Sequence, residues 1–311
     1  MTSNDLIWER DGAHWPNSAQ SRLISSNGMR WHVQHFAATD PDAPCVLLLH
    51  GTGASTHSWR DLAPRLARRF EVLAPDLPGH AFTGLPAAGT DTPEMGLPGM
   101  AQAVHGLLKT LDRQPDLVVG HSAGAALAIR LCLDGLITPR RLIGLNPALL
   151  PLEGTVGRLF TPAARLLAGQ AWVPKVFAWH ARAPAVLNRL LESTGSRLDG
   201  QGTALYHRLV RSPAHARGAL AMMASWDLPG LAHDLGRLAV PLDLLVGASD
   251  RTVPPTQSRR VMAALPEPVR GRCVWLQGLG HLAHEEAPDL VVSHLLACWD
   301  GQAPPDSEVM G

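Results

Sequence analysis

The chain has 311 residues, a formal net charge of zero, 46% hydrophobic residues and 17% charged ones. That composition describes a globular protein with a large core and excludes a disordered chain. The balanced charge removes any global electrostatic case for nucleic acid, and no apolar run approaches the roughly 20 residues of a membrane span.

The polar start Met1-Thr2-Ser3-Asn4-Asp5 lacks the basic-then-apolar form of a signal peptide, which predicts a cytoplasmic protein. Cys45, Cys132, Cys273 and Cys298 stand apart among apolar neighbours with no C-x-x-C pair, so they read as small hydrophobes in a reducing compartment. The first elements expected are strands over Gln20 to Ser25 and Arg30 to Phe36, joined at Asn27-Gly28, a hairpin signal. Cys45 to Leu49 is a continuous apolar run, as expected of a strand buried on both faces, and Glu71 to Ala74 is a shorter one stopped by Pro75. Leu117 to Val119, Leu142 to Leu145, Leu242 to Val246 and Cys273 to Leu276 complete eight predicted strands. Helix-length segments lie between them, at Met100 to Leu111, Ala123 to Leu133, Pro255 to Leu265 and Pro288 to Trp299. A hairpin followed by alternating strand and helix predicts an α/β fold, a mostly parallel sheet covered by helices on both faces.

One interval breaks the alternation. From about Pro147 to Asp234 the patterns are helical: Leu159, Phe160, Ala163, Leu166 and Leu167 repeat at helical spacing, as do Val186, Leu187, Leu190 and Leu191. The division expected is a core of residues 1–146 and 235–311 with an inserted helical cap at 147–234. Between residues 158 and 217, Arg158, Arg165, Lys175, Arg182, Arg189, Arg197, Arg208, Arg211 and Arg217 face only Glu192 and Asp199. Such a surface can attract carboxylate-bearing molecules, and it is equally a solvated face rich in arginine through codon bias. The acidic, Pro-rich tail from Gly301 reads as disordered.

The chemistry concentrates at the ends of predicted strands. Gly120-His121-Ser122-Ala123-Gly124 joins a strand to a helix, and the spacing G-x-S-x-G suits a sharp elbow that exposes a serine hydroxyl. A serine is a weak nucleophile and needs a base, which in turn needs an orienting acid. Asp250 follows the strand at Leu242 to Val246, and His281 follows the one at Cys273 to Leu276. Ser122, Asp250 and His281 thus sit at the carboxyl ends of three strands, where an open parallel sheet builds its site. His50-Gly51-Thr52-Gly53 ends another strand and can aim backbone N–H groups at a developing oxyanion. The donors expected are Thr52 and Ala123, with Gly53 as rival to Thr52. His50 and His121 read as braces for backbone turns, Asp76 as a turn-fixing residue and His284 as the start of the last helix. The pair His281 and His284 lacks a third ligand of suitable spacing, so no metal is expected. Asn146, at the end of its strand, is an amide and cannot serve as the acid.

Taken together, His50-Gly51, Asp76-x-Pro78-Gly79-His80, the elbow, Gly247-x-x-Asp250, Gly280-His281, Glu286 and Pro288 resemble the α/β-hydrolase superfamily across nearly the whole chain. Trp8-Glu9-Arg10-Asp11-Gly12-x-x-Trp15-Pro16-Asn17, Arg30-Trp31-His32-Val33-Gln34, the run from His50 to Arg60, Asp76 to Thr83 and Leu97-Pro98-Gly99-Met100 are similar to a narrower group, the BchO-type magnesium-chelatase accessory proteins of bacteriochlorophyll biosynthesis. The glycine usual after His80 is Ala81 here. The resemblance implies a serine-type hydrolase without a cofactor, acting on an ester or related carbonyl, with a tetrapyrrole as substrate or ligand and the chelatase subunits as partners. A serine at the elbow disfavours epoxide hydrolase and dehalogenase chemistry, which use aspartate there. Two alternatives stay open: a non-catalytic porphyrin-binding or chelatase-docking protein on a hydrolase scaffold, and a general carboxylesterase or acyltransferase. The aromatic, amphipathic cap also allows peripheral contact with a membrane.

Overall fold

The structure is a computed structural model and describes residues 5–87, 89–90, 92–151 and 183–303. Eight strands form one sheet: β1 (Ser21–Ser26), β2 (Met29–Phe36), β3 (Cys45–Leu49), β4 (Glu71–Pro75), β5 (Leu117–His121), β6 (Arg141–Leu145), β7 (Leu242–Gly247) and β8 (Arg270–Leu276). Their spatial order is β1-β2-β4-β3-β5-β6-β7-β8. β2 runs antiparallel to both β1 and β4, and every later pairing is parallel. At the hairpin, Asn27 and Gly28 both take positive φ, 50° and 72°, the paired left-handed conformation that matches the twist of the flanking strands.

The period of two along each strand splits the core. On β3, Val46 and Leu48 join a cluster with Trp59, Leu62, Phe70, Val274 and Leu295 on one face of the sheet. Leu47 and Leu49 join Val104, Leu107, Ile129 and Leu244 on the other. Both faces are therefore covered, and that is why β3 reads as an unbroken apolar run. A third cluster, with Trp15, Ala54, Phe82, Leu187, Leu205, Tyr206 and Leu282, roofs the carboxyl edge of the sheet.

Two boundaries differ from expectation by three residues, each for a local reason. β8 starts at Arg270, three residues before Cys273, because the polar stretch Arg270-Gly271-Arg272 pairs beside buried Asp243 of β7. Asp243 accepts from the Arg272 N–H at 2.6 Å and from the Arg141 guanidinium, so polar residues fit an irregular strand start. The helix expected from Met100 starts at Leu97 and runs to Leu111, with Pro98 in the first turn, where a missing N–H costs nothing.

Between β6 and β7 the described residues carry four helices, Pro184–Ser193, Gly200–Val210, Pro213–Ser225 and Leu228–Asp234, and no strand. Side chains of Asp199, Ser212 and Asp227 cap three of them by accepting from Gly202, His215 and Gly230 N–H groups. Of the helical repeat at 186–191, Leu187 and Leu191 are buried, whereas Val186 and Leu190 are 41% and 49% exposed. The repeat at Leu159, Phe160, Ala163, Leu166 and Leu167 lies outside the described residues, as do Arg158, Arg165, Lys175 and Arg182 and the tail beyond 303.

β5 turns into the helix Ala123–Leu133 with backbone pressed on backbone. A Cβ on Gly124 would lie 2.0 Å from the Leu49 carbonyl oxygen and 2.7 Å from that of His50, and one on Gly120 would lie 2.5 Å from Ala125 Cα. Gly124→Ala is accordingly expected to lower the free energy of unfolding by about 2–3 kcal/mol, seen as a reduced urea midpoint at unchanged slope.

Candidate active site

Four loops at the carboxyl ends of β3, β5, β7 and β8 meet above the sheet. After β5, Ser122 stands at φ 51° and ψ −117°, a strained backbone for a residue with a side chain. Three hydrogen bonds hold it: Ser122 N–H donates to the Leu145 carbonyl at 3.0 Å, and the Ser122 carbonyl accepts from Ala125 and Ala148 N–H, each at 3.1 Å. Ala123 opens the following helix, so its N–H belongs to the first turn, which has no intrahelical acceptor and sits at the positive end of the dipole.

Asp250 and His281 are joined. His281 Nδ1 lies 2.7 Å from Asp250 Oδ2, with both residues buried. The other Asp250 oxygen accepts from Thr252 and Val253 N–H at 2.8 and 2.9 Å. Asn146, buried at the end of β6, donates from Nδ2 to Asp250 Oδ2 at 2.8 Å and to the Gly280 carbonyl at 3.2 Å. A carboxylate with four donors is fixed in position, and it turns the imidazole so that Nδ1–H faces it and Nε2 is left for other work.

The loop carrying His281 is gripped from both sides. Gly280 N–H donates to Glu286 Oε1 at 2.8 Å, and Leu282 N–H to Ser196 Oγ at 2.8 Å. His281 N–H reaches the Thr194 carbonyl at 3.2 Å. The segment Thr194 to Ser196 comes from the interval between β6 and β7, and it approaches so closely that a Cβ on Gly280 would meet Ser196 N at 2.5 Å.

The turn after β3 lies against the elbow: a Cβ on Gly51 would be 2.9 Å from His121 Nδ1 and 3.0 Å from Ser122 Cβ. Thr52 and Gly53 are half-buried on that turn. His50 braces it, accepting from Leu77 N–H at 2.9 Å on Nε2 and facing the Gly51 carbonyl at 2.8 Å with Nδ1. His121 faces the His281 carbonyl at 2.9 Å through Nε2. Both act on backbone, as the sequence reading expects. Asp76 is likewise structural: Oδ1 accepts from Thr56 N–H at 2.7 Å, and Oδ2 faces His32 at 2.7 Å and Phe82 N–H at 3.3 Å. Burial works against its charge, but His32 and the Thr56 N–H hold its carboxyl down at about 2.

His284 is placed differently from expectation. It lies on a separate turn, Ala283–Glu286, which a break at Ala287 divides from the last helix, Pro288–Asp300. Its ring stacks 4.4 Å from His121 and 4.7 Å from Trp59, and burial pushes its pKa down to about 3. It is a neutral stacking ring, and the described residues contain no group of three or more side chains set to hold a metal.

Local sequence pattern does not reveal the partners supplied across long chain separations. Asn146, an amide that cannot serve as the acid, is a donor to Asp250. Thr194 and Ser196 carry no local signal at all. A buried cluster on the far side of the His281 loop is not revealed either. There Glu285 accepts from Tyr206 Oη at 2.7 Å and from Arg60 Nη1 at 3.2 Å, while Arg60 also serves Asp61 and Asp199 at 3.0 Å.

Residues 46–294 match the family model of the alpha/beta hydrolase family. Over 291 residues the chain is 37% identical to the magnesium-chelatase 30 kDa subunit of Rhodobacter capsulatus, covering 93% of this chain and 98% of the relative. The fold is similar to that of 2-hydroxy-6-oxo-6-phenylhexa-2,4-dienoate hydrolase from Rhodococcus sp. strain RHA1, with a TM-score of 0.70 and 23% identity over 90% of this chain and 98% of that one. It is also similar to the enol-lactonase of Burkholderia xenovorans LB400, with a TM-score of 0.69 and 20% identity over 90% and 100%. The chain belongs to the α/β-hydrolase family. Within that family it stands with the magnesium-chelatase 30 kDa subunit, the group its N-terminal and oxyanion-turn motifs resemble.

One guanidinium shared by three carboxylates leaves Glu285 the deepest and least compensated of them. Burial pushes its pKa up to about 8, against 4.5 for a free glutamate, with Tyr206 and Arg60 opposing the shift. A raised folded-state pKa gives stability that is complete below the unfolded value and is lost as pH rises towards the folded one. The urea midpoint is therefore expected to fall between about pH 4.5 and 8, and Glu285→Gln, which keeps an acceptor for Arg60, is expected to flatten that fall.

Proposed function

We propose that the protein is a serine hydrolase that cleaves an ester or related carbonyl, and that its substrate is a tetrapyrrole on the path of magnesium insertion. The observation that carries the reading is the 2.7 Å contact between His281 Nδ1 and Asp250, on the loops beside the strained elbow of Ser122. In this reading His281 Nε2 takes the Ser122 proton as Oγ attacks the carbonyl carbon, and Asp250 stabilises the imidazolium that forms. The N–H groups of Thr52 and Ala123 receive the charge that develops on the carbonyl oxygen. The imidazolium then protonates the leaving alkoxide, and a water or another acceptor, deprotonated by the same imidazole, releases the acyl group from Ser122. No cofactor enters this sequence.

The tetrapyrrole class rests on the relative's name and on the surplus of arginine between β6 and β7, which suits propionate carboxylates. The helical interval at 147–234 acts as the cap over the site in this reading, and the protein works in the cytoplasm. The name magnesium-chelatase 30 kDa subunit also favours a second reading, in which the chain docks on the chelatase or holds a porphyrin without turnover.

Active-site labelling and complementation separate them. A fluorophosphonate probe is expected to label Ser122, and porphyrin esters to compete with it. Ser122→Ala is expected to abolish labelling and to lower ester hydrolysis by about 10⁴-fold or more. Full restoration of pigment synthesis by Ser122→Ala, in a photosynthetic host lacking this chain, would establish the docking reading instead.

A further inference from the structure

We propose that His215, carried on the helix Pro213–Ser225 between β6 and β7, is a positioning residue that sets the oxyanion turn by holding the Gly53 carbonyl. The inference rests on the reading of Thr52 as an oxyanion donor and extends the site to a residue 162 positions along the chain from Gly53.

Gly51 to Ala54 form a tight turn closed by Ala54 N–H donating to the Gly51 carbonyl at 3.1 Å, with Gly53 at φ +74°. The Thr52 N–H shares its peptide plane with the Gly51 carbonyl, and the Gly53 carbonyl shares its plane with the Ala54 N–H that closes the turn, so rotating either plane swings the Thr52 N–H. Each of these two carbonyls meets a buried imidazole. Gly51 O lies 2.8 Å from His50 Nδ1, and Gly53 O lies 3.1 Å from His215 Nε2. The opposite nitrogen of each ring receives a backbone N–H from a single loop, Leu77 for His50 at 2.9 Å and Ala81 for His215 at 3.1 Å. A backbone N–H can only donate, so each receiving nitrogen is unprotonated and the hydrogen of the neutral ring points at the turn. Burial pushes His215 down to about 4, which keeps the ring neutral at pH 7.

The helix bearing His215 is itself registered on the core. Gly218 packs so closely on Gly79 that a Cβ would lie 2.1 Å from the Gly79 carbonyl oxygen. Met222 Sδ takes a hydrogen bond from Thr52 Oγ1 at 3.4 Å. At the helix start, Asp5 Oδ1 accepts from Ala214 N–H at 2.8 Å and lies 3.2 Å from Ser212 Oγ, so the N-terminal segment fixes the helix from outside. Any displacement of this helix therefore withdraws the His215 N–H from Gly53 and the sulfur from Thr52 together.

The test compares His215→Leu with His215→Gln, whose amide can both donate to Gly53 and accept from Ala81. Hydrolysis of p-nitrophenyl butyrate by His215→Leu is expected to show kcat lowered about 10- to 100-fold with KM changed by less than about 3-fold. Inhibition by phenylboronic acid, which binds as a tetrahedral adduct, should weaken by the same factor as kcat, and His215→Gln should recover most of both. Wild-type kcat and boronate affinity in a folded His215→Leu protein overturn the proposal. So does an equal loss in both variants that follows their thermal stability. If the wild-type protein neither hydrolyses the ester nor reacts with a fluorophosphonate, the hydrolase reading has failed, and amide hydrogen exchange then decides on His215. Exchange at Ala54 at least about 10-fold faster in His215→Leu, with Val119 of β5 unchanged, supports the holding role, and unchanged exchange at Ala54 overturns it.

Discussion

The backbone of Ser122 is the constraint on which the rest of the site depends. A φ of 51° with ψ −117° is unfavourable for an L-residue, and it persists because its surroundings leave no alternative. Gly124 brings the helix against the Leu49 and His50 carbonyls, and Gly120 lets β5 pass under Ala125. Leu145 and Ala148 tie the serine to β6 and to the chain beyond it. The elbow is also pressed on the turn at Gly51, so Ser122 and that turn are positioned by close approach of backbones.

Around that point the protein uses histidines mostly as neutral structural groups. Burial lowers the pKa of His50, His57, His80, His121, His215 and His284, and in each case desolvation is the largest cause. A neutral imidazole has one donor and one acceptor at fixed positions, which suits it to link two backbone groups from different loops. His50 and His215 do this on the two sides of Thr52. His281 differs in having a buried carboxylate, that of Asp250, on Nδ1. His50, His121 and His215 thus brace the backbone of the loop layer.

The segment between β6 and β7 is integral to the site. Thr194 and Ser196 hold the loop of His281, His215 and Met222 contact the turn at Thr52 and Gly53, and Tyr206 and Asp199 join the Arg60–Glu285 cluster. Neighbouring folds at 20–23% identity share the sheet and say nothing about this layer's chemistry. The stretches Trp8 to Asn17 and His50 to Arg60 are joined as well: Trp15 Nε1 donates to Thr56 Oγ1 at 3.1 Å, and Asn17 Nδ2 to the Arg60 carbonyl at 3.0 Å.

The sheet was legible in the sequence because each strand announces itself locally. Cys45 to Leu49 is apolar on both faces, Asn27-Gly28 demands positive φ, and the two glycines of the elbow admit a contact no side chain could survive. The order of Ser122, Asp250 and His281 along the chain, each after a strand, likewise followed from local pattern, and so did the structural roles of His50, His121 and Asp76. Local pattern failed where a polar residue's partner lies far away in sequence. Nothing near Asn146 indicates that its amide will meet Asp250, and nothing near His215 points to Gly53. The polar start of β8 hides its strand character because Asp243, on a different strand, supplies the compensating acceptor. Periodicity and glycine placement are properties of neighbouring residues, so the sequence by itself determined the layers and the places of Ser122, Asp250 and His281 at the ends of their strands. Hydrogen-bond satisfaction of buried polar atoms is a property of the packed chain, so only the tertiary structure decided which groups hold them in place.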